Sequence, residues 1–153
     1  MIGFAETATA VGAAAAQSIS EDCIYIPTTR EQLENVDCWA EFMEEHSHAA
    51  EQRLAADKLK QYISNTETVI FVDDELSTGK TLINIINSMR EIFPELLSKK
   101  IVAASIINRV SEENTERMRQ AGIECISLLK IENTDYTQIV EGFNAREAES
   151  FCS

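Results

Sequence analysis

The residues best equipped for chemistry lie together in residues 69–81, VIFVDDELSTGKT. An apolar run delivers two adjacent carboxylates, Asp73 and Asp74. A turn rich in small hydroxyls follows, made of Ser77, Thr78, Gly79, Lys80 and Thr81. Carboxylates accept hydrogen bonds and stabilise positive charge that develops nearby. A turn that opens a helix does the reverse, because its N–H groups and the helix dipole hold an anion. Ser77, Thr78 and Thr81 add hydroxyl donors, and Gly79 lets the backbone approach closely. Lys80 adds positive charge or faces solvent. Three kinds of site contain such pieces: the acidic pocket of a receiver domain, a nucleotide-binding P-loop, and a sugar-phosphate site built from a strand, two acids and a turn. A plainer role is an acidic turn that caps a helix, with Ser77 or Thr78 as N-cap.

The scaffold around these residues is read from composition and periodicity. The 153 residues suit one domain, spanning 1–153, with a sizeable core. Apolar residues are 44% and charged residues 25%, an ordinary globular balance. With 13 basic and 26 acidic residues the net charge is 13 − 26 = −13. Such a surface repels phosphate backbones, so no nucleic-acid partner is expected. A small anion is still accommodated if backbone N–H groups, a divalent metal or a few placed Lys and Arg overcome the field locally. No apolar run approaches the roughly 18 residues of a membrane span, so no membrane partner is expected. The start, MIGFAETATAVGAAAA, lacks a basic region and carries Glu6, which makes it a poor signal peptide. Cys23, Cys38, Cys125 and Cys152 lie far apart with no C-x-x-C pair, as in a reduced cytoplasmic protein.

Short apolar strands are expected at residues 1–4, 23–27 (CIYIP), 39–43, 69–72, 101–107 and 125–129. Helices are expected at 6–18, 49–63, 81–93, 111–121 and 136–148, with a polar loop over 28–38. The clearest helix has Leu82, Ile85, Ile86, Met89 and Phe93 at helical spacing and Pro94 at its end. Ser111 and Gly122 are the cap and stop of another. No internal repeat or low-complexity linker interrupts the pattern. Strand–helix alternation predicts an α/β fold with a parallel, Rossmann-like sheet. Ligands of such sheets bind beyond the carboxyl ends of the strands, where Asp73 and Asp74 fall.

Spacing and order separate the three site types. A P-loop needs a glycine five positions before Gly79, and Asp74 stands there. In a receiver domain the acidic pair ends the first strand and a phosphoacceptor Asp ends a later one. Here the pair stands midway along the chain, and the only later Asp is Asp135, beyond the final strand. The strand, acids and turn resemble the signature of type I phosphoribosyltransferases, which bind 5-phosphoribosyl-1-pyrophosphate (PRPP). The resemblance implies that Asp73 and Asp74 accept from the vicinal ribose hydroxyls and stabilise charge at the anomeric carbon. It also implies that Ser77, Thr78, Gly79, Lys80 and Thr81 hold the 5′-phosphate.

More of the chain is similar to one branch of that superfamily. GFAETATAVG, TTR, EEHSHA and VDDELSTGKT occur in the order seen in a predicted phosphoribosyltransferase family associated with bacterial tellurium-resistance gene clusters. The likeness covers roughly residues 1–130. It implies that backbone amides near Ala5, Glu6, Thr7 and Ala8, with the Thr7 hydroxyl, face the pyrophosphate. Glu6 then reaches the substrate through Mg²⁺ or turns away; otherwise Glu6 and Thr7 are plain helix-start residues. Arg30 is the best basic candidate for pyrophosphate, since a planar fork suits phosphate oxygens. The alternative is a capping box of Thr28 and Glu31 that leaves Arg30 on the surface. Residues 31–38 are the expected lid. His46 and His48 contact substrate, transfer protons or decorate a loop; a zinc pair lacks an evident third ligand. Asn108, after the 101–107 strand, is a base-reading candidate that equally suits a turn.

Phosphoribosyltransferases usually carry residues ahead of the first motif, so an N-terminal truncation is expected. If the chain is complete, the hood over the acceptor base is minimal, borrowed from a partner such as a second copy in a homodimer, or absent. Glu75 adds a third carboxylate that raises Mg²⁺ demand or faces solvent. The expected activity is phosphoribosyl transfer from PRPP, with Mg²⁺ on its pyrophosphate and no direct metal ligand on the protein, to a nitrogen acceptor such as a nucleobase. A non-catalytic module that senses PRPP or a nucleotide is the alternative, and an interaction subunit that keeps only the fold is the third.

Overall fold

The computed structural model describes residues 1–31, 39–42, 52–56 and 58–132. Five strands form one parallel sheet: β1 (Ile2–Gly3), β2 (Ile26–Pro27), β5 (Thr68–Leu76), β6 (Lys100–Asn108) and β7 (Ile123–Lys130), in the order β2-β1-β5-β6-β7. A two-stranded antiparallel unit, β3 (Trp39–Phe42) with β4 (Gln52–Ala55), stands beside it. The helices are α1 (Ala8–Ile19), α2 (Leu59–Ser64), α3 (Lys80–Ile92) and α4 (Glu112–Gln120), with a 3₁₀ turn at Pro94–Ser98.

The sheet is parallel because each apolar strand is followed by a segment that crosses back over a face. Strand β5 sits at its centre, with Val69, Phe71, Val72 and Leu76 buried. Helix α3 buries Leu82, Ile85, Ile86 and Met89 against the core, the stripe read from the sequence. Helix α1 buries only small residues, Ala8, Gly12 and Ala16. Tyr25 explains why: its ring lies where side chains at Gly3 and Gly12 would stand, and its hydroxyl donates to the Thr9 carbonyl at 2.8 Å. Among the described residues no helix is long and apolar enough to cross a membrane.

Several boundaries differ from expectation. Strand β5 continues past Val72 to Leu76, because β6 is long enough to pair with it: Asp73 with Ser105, Glu75 with Ile107, Leu76 with Asn108. Asp73 and Asp74 are therefore inside the strand. The 49–63 helix is replaced by β4 and the shorter α2. Gln52 and Leu54 are buried in alternation, a strand period, and pairing with β3 overrides local helix propensity. The strand over 23–27 shrinks to the two residues of β2, whose Pro27 suits an edge. The lid beyond Glu31, His46, His48, Cys38, Cys152 and the 136–148 helix lie outside the described residues.

Candidate functional site

The strand order reverses between β1 and β5. The chain leaves β1 for β2 on one side, then returns through β5 to build the other side. A crevice must open where the connections diverge. One does: a cleft of about 240 Å³ lies at the carboxyl ends of β1 and β5. Phe4, Ala5, Arg30, Gln52, Asp73, Glu75 and residues 76–79 line it, with Thr81, Leu82 and Ile85 from α3.

The floor is Phe4, which is buried and stacked on Phe71 with ring centroids 6.1 Å apart. The Phe4 amide extends the β1–β5 pairing by donating to the Val72 carbonyl at 3.0 Å. Beyond it the chain turns through Ala5, Glu6 and Thr7 into α1, with a cis peptide between Ala5 and Glu6. The Ala5 amide donates to Thr28 Oγ1 at 2.8 Å, so it is not one of the donors expected to face an anion. The Thr7 and Ala8 amides are at the helix start, where N–H groups lack an intrahelical acceptor. Glu6 and Thr7 are exposed and do not line the cleft.

The opposite wall is the turn into α3. Gly79 is the N-cap, with φ +74°, and not Ser77 or Thr78. A side chain there would meet Met118 Sδ at 2.5 Å, so both conformation and space demand glycine. Helix α3 carries no acidic residue in its first turn, leaving its positive end unopposed. Ser77, Thr78, Gly79 and Thr81 line the cleft; Lys80 does not and is exposed. Side chains alternate along β5, so Asp73 lines the cleft and Asp74 does not. Asp73 Oδ1 accepts from the Asp74 amide at 3.0 Å. Glu75 also lines the cleft and is paired with Arg109 at 3.3 Å, which offsets the third carboxylate.

Arg30 supplies the basic group. It lines the cleft, and its Nε is buried with no hydrogen-bond partner among the described residues. Buried guanidinium donors are rarely left this way, and an anion is their natural complement. The capping box does not form. Thr28 is buried and its hydroxyl is held between the Ala5 amide and Gln52 Oε1, while Thr29 makes an antiparallel bridge to Arg53. Asn108, the base-reading candidate, is buried at the end of β6. Its Oδ1 accepts from the Val110 amide at 2.9 Å and from Lys130 Nζ at 3.3 Å, and it does not line the cleft. The sequence reading missed Gln52; the one available signal was a polar residue two before Leu54 in a strand alternation. Among the described residues no three His, Cys, Asp or Glu side chains converge as a metal site.

Comparison with known proteins agrees with this architecture. The structure resembles the APRTase of Giardia lamblia, solved with 9-deazaadenine, at TM-score 0.58 and 18% identity, over 86% of this chain and 69% of that one. It resembles the adenine phosphoribosyl transferase of Trypanosoma brucei, solved with AMP, pyrophosphate and ribose-5-phosphate, at TM-score 0.58 and 15% identity, over 84% and 54%. In sequence it is 27% identical over 88 residues to the xanthine phosphoribosyltransferase of Brevibacillus brevis, covering 58% of this chain but 43% of that protein, less than half its length. The family model described as phosphoribosyl transferase matches residues 1–133, most of the chain, and the protein belongs to that family.

Proposed function

We propose that the cleft binds PRPP and that the chain transfers its phosphoribosyl group to a ring nitrogen of a nucleobase, releasing pyrophosphate. One observation carries this reading: Asp73, the N-terminal turn of α3 and the Arg30 Nε, unpartnered among the described residues, meet in a single cleft. The α3 turn, with Ser77, Thr78, Gly79 and Thr81, suits the 5′-phosphate, and Lys80 adds charge from outside. Asp73 accepts from the ribose hydroxyls, and Asp74, next to it within β5, is the proposed second acceptor. Arg30 in the cleft receives the pyrophosphate, with the amides of Glu6, Thr7 and Ala8 reaching it from the turn that continues Ala5 beyond the cleft lining.

In the transfer the anomeric carbon–oxygen bond breaks, its electron pair leaves on pyrophosphate, and a carbon–nitrogen bond forms. Asp73 stabilises positive charge on the ribose as this occurs. Mg²⁺ enters as part of the substrate and neutralises the pyrophosphate in a protein of net charge −13. The motif order supports the tellurium-resistance-associated branch, the widely spaced cysteines fit cytoplasmic work, and a homodimer is the assembly to test.

Calorimetric titration with PRPP and Mg²⁺ tests the site. An Asp73→Asn variant is expected to bind about 10–100-fold more weakly, since hydrogen bonds to charged groups are worth about 1.5–3 kcal/mol. Equal binding by both proteins removes Asp73 from the site. Binding without turnover on any nucleobase favours the sensing module over the enzyme.

A further inference from the structure

Three hydrogen bonds close a ring beneath the cleft. The Ala5 amide donates to Thr28 Oγ1 at 2.8 Å. The Thr28 hydroxyl donates to Gln52 Oε1 at 2.6 Å. Gln52 Nε2 donates back to the Ala5 carbonyl at 3.3 Å. The three bonds run in one continuous direction, so the arrangement reinforces itself. Thr28 and Gln52 are both buried, at 3% and 4% exposure, so breaking a link strands a polar group away from water.

The ring joins three distant parts of the chain. Ala5 belongs to the turn between β1 and α1, Thr28 follows β2, and Gln52 opens β4. Both polar groups of Ala5 are gripped, so the peptide planes on either side of it are held. Those planes set the direction of the following Glu6, Thr7 and Ala8 amides. Gln52 also ties the β3–β4 unit to this turn, and Thr29 and Arg53 exchange backbone hydrogen bonds of 2.8 and 2.7 Å next to it.

We propose that Gln52 and Thr28 are positioning residues that hold the Ala5 turn in a pyrophosphate-binding conformation and couple it to the β3–β4 hairpin. This rests on the reading of the cleft as a PRPP site. The two residues act on the pyrophosphate half alone, because the 5′-phosphate half is built by the α3 turn on the other wall.

Two ligands separate the halves. Calorimetry is run with pyrophosphate and, separately, ribose 5-phosphate, each with Mg²⁺, on the full chain and on Gln52→Met, Thr28→Val and Thr28→Ser. Gln52→Met and Thr28→Val are expected to weaken pyrophosphate by about tenfold or more. Ribose 5-phosphate affinity is expected to stay within about twofold, since Asp73 and the α3 turn keep their geometry. Thr28→Ser retains the hydroxyl and restores pyrophosphate binding. Unchanged pyrophosphate affinity in both disruptive variants overturns the proposal, as does equal loss of both ligands in both. If the native chain binds neither ligand, the PRPP reading falls and takes the positioning role with it.

Discussion

Arg30 carries a conflict between stability and function. Its Nε is buried and unpartnered among the described residues, and an unsatisfied buried donor costs roughly 1–3 kcal/mol. Replacing it by Leu removes that cost along with the proposed anion contact. Arg30→Leu is therefore expected to raise the urea midpoint, by about 1 kcal/mol of stability, while pyrophosphate binding is lost. A midpoint that falls instead shows that the guanidinium stabilises the unliganded fold. Cys125 gives a pH signature. Burial pushes its thiol above the ordinary range, and Lys130 opposes this less. The folded chain keeps the proton where an unfolded chain loses it, so stability falls as pH rises through the ordinary thiol range. Cys125→Ala is expected to show a smaller decline in urea midpoint between roughly pH 7 and pH 10 than the native chain. At this scale the acids, the hydroxyl turn and Arg30 stood out by residue type, and of these Asp73, Ser77, Thr78, Gly79, Thr81 and Arg30 line one cleft. The sequence hid Gln52 and misassigned Thr28, because their partners are set by folding and not by neighbours in the chain.

Elements were legible where one period dominated. The stripe of α3, the cap at Ser111 and the apolar run of β6 each carry one unmixed signal, and the structure follows them closely. Ser111 Oγ accepts from the Asn114 amide at 3.3 Å, as a helix cap should. Strand β4 was not legible, since its pairing with β3 is a tertiary decision. Nor was the extension of β5 through Leu76, which β6 imposes. Helix α1 yields a test that opposes propensity to packing. Ala is a better helix former than Gly by about 1 kcal/mol, yet a side chain at Gly12 would stand 2.6 Å from Tyr25 Cε2. Gly12→Ala is expected to destabilise the protein by about 1–3 kcal/mol in urea titration, because overpacking outweighs propensity. Combining it with Tyr25→Ala is expected to be markedly less than additive. Simple additivity rules out the Tyr25 clash as the cause.

For the whole molecule, charge and topology set the conditions of binding. A net charge of −13 opposes any polyphosphate, so Mg²⁺ removal is expected to weaken PRPP far more than ribose 5-phosphate. Calorimetry before and after chelation reads the difference, and equal loss would place the metal dependence elsewhere. The fold class and the location of the cleft followed from strand–helix alternation alone, since parallel sheets put their sites at one edge.

The same topology governs how the chain is made. Ile2 pairs with Phe71, so the first strand's central neighbour is synthesised long after it. Among the described residues its only earlier partner in the sheet is the two-residue β2. At about 5–20 residues per second, β1 and the small-residue face of α1 wait several seconds with their apolar surface uncovered. Nascent chains stalled before residue 68 are therefore expected to be held by chaperones and cut by protease, whereas chains extended past β6 resist both.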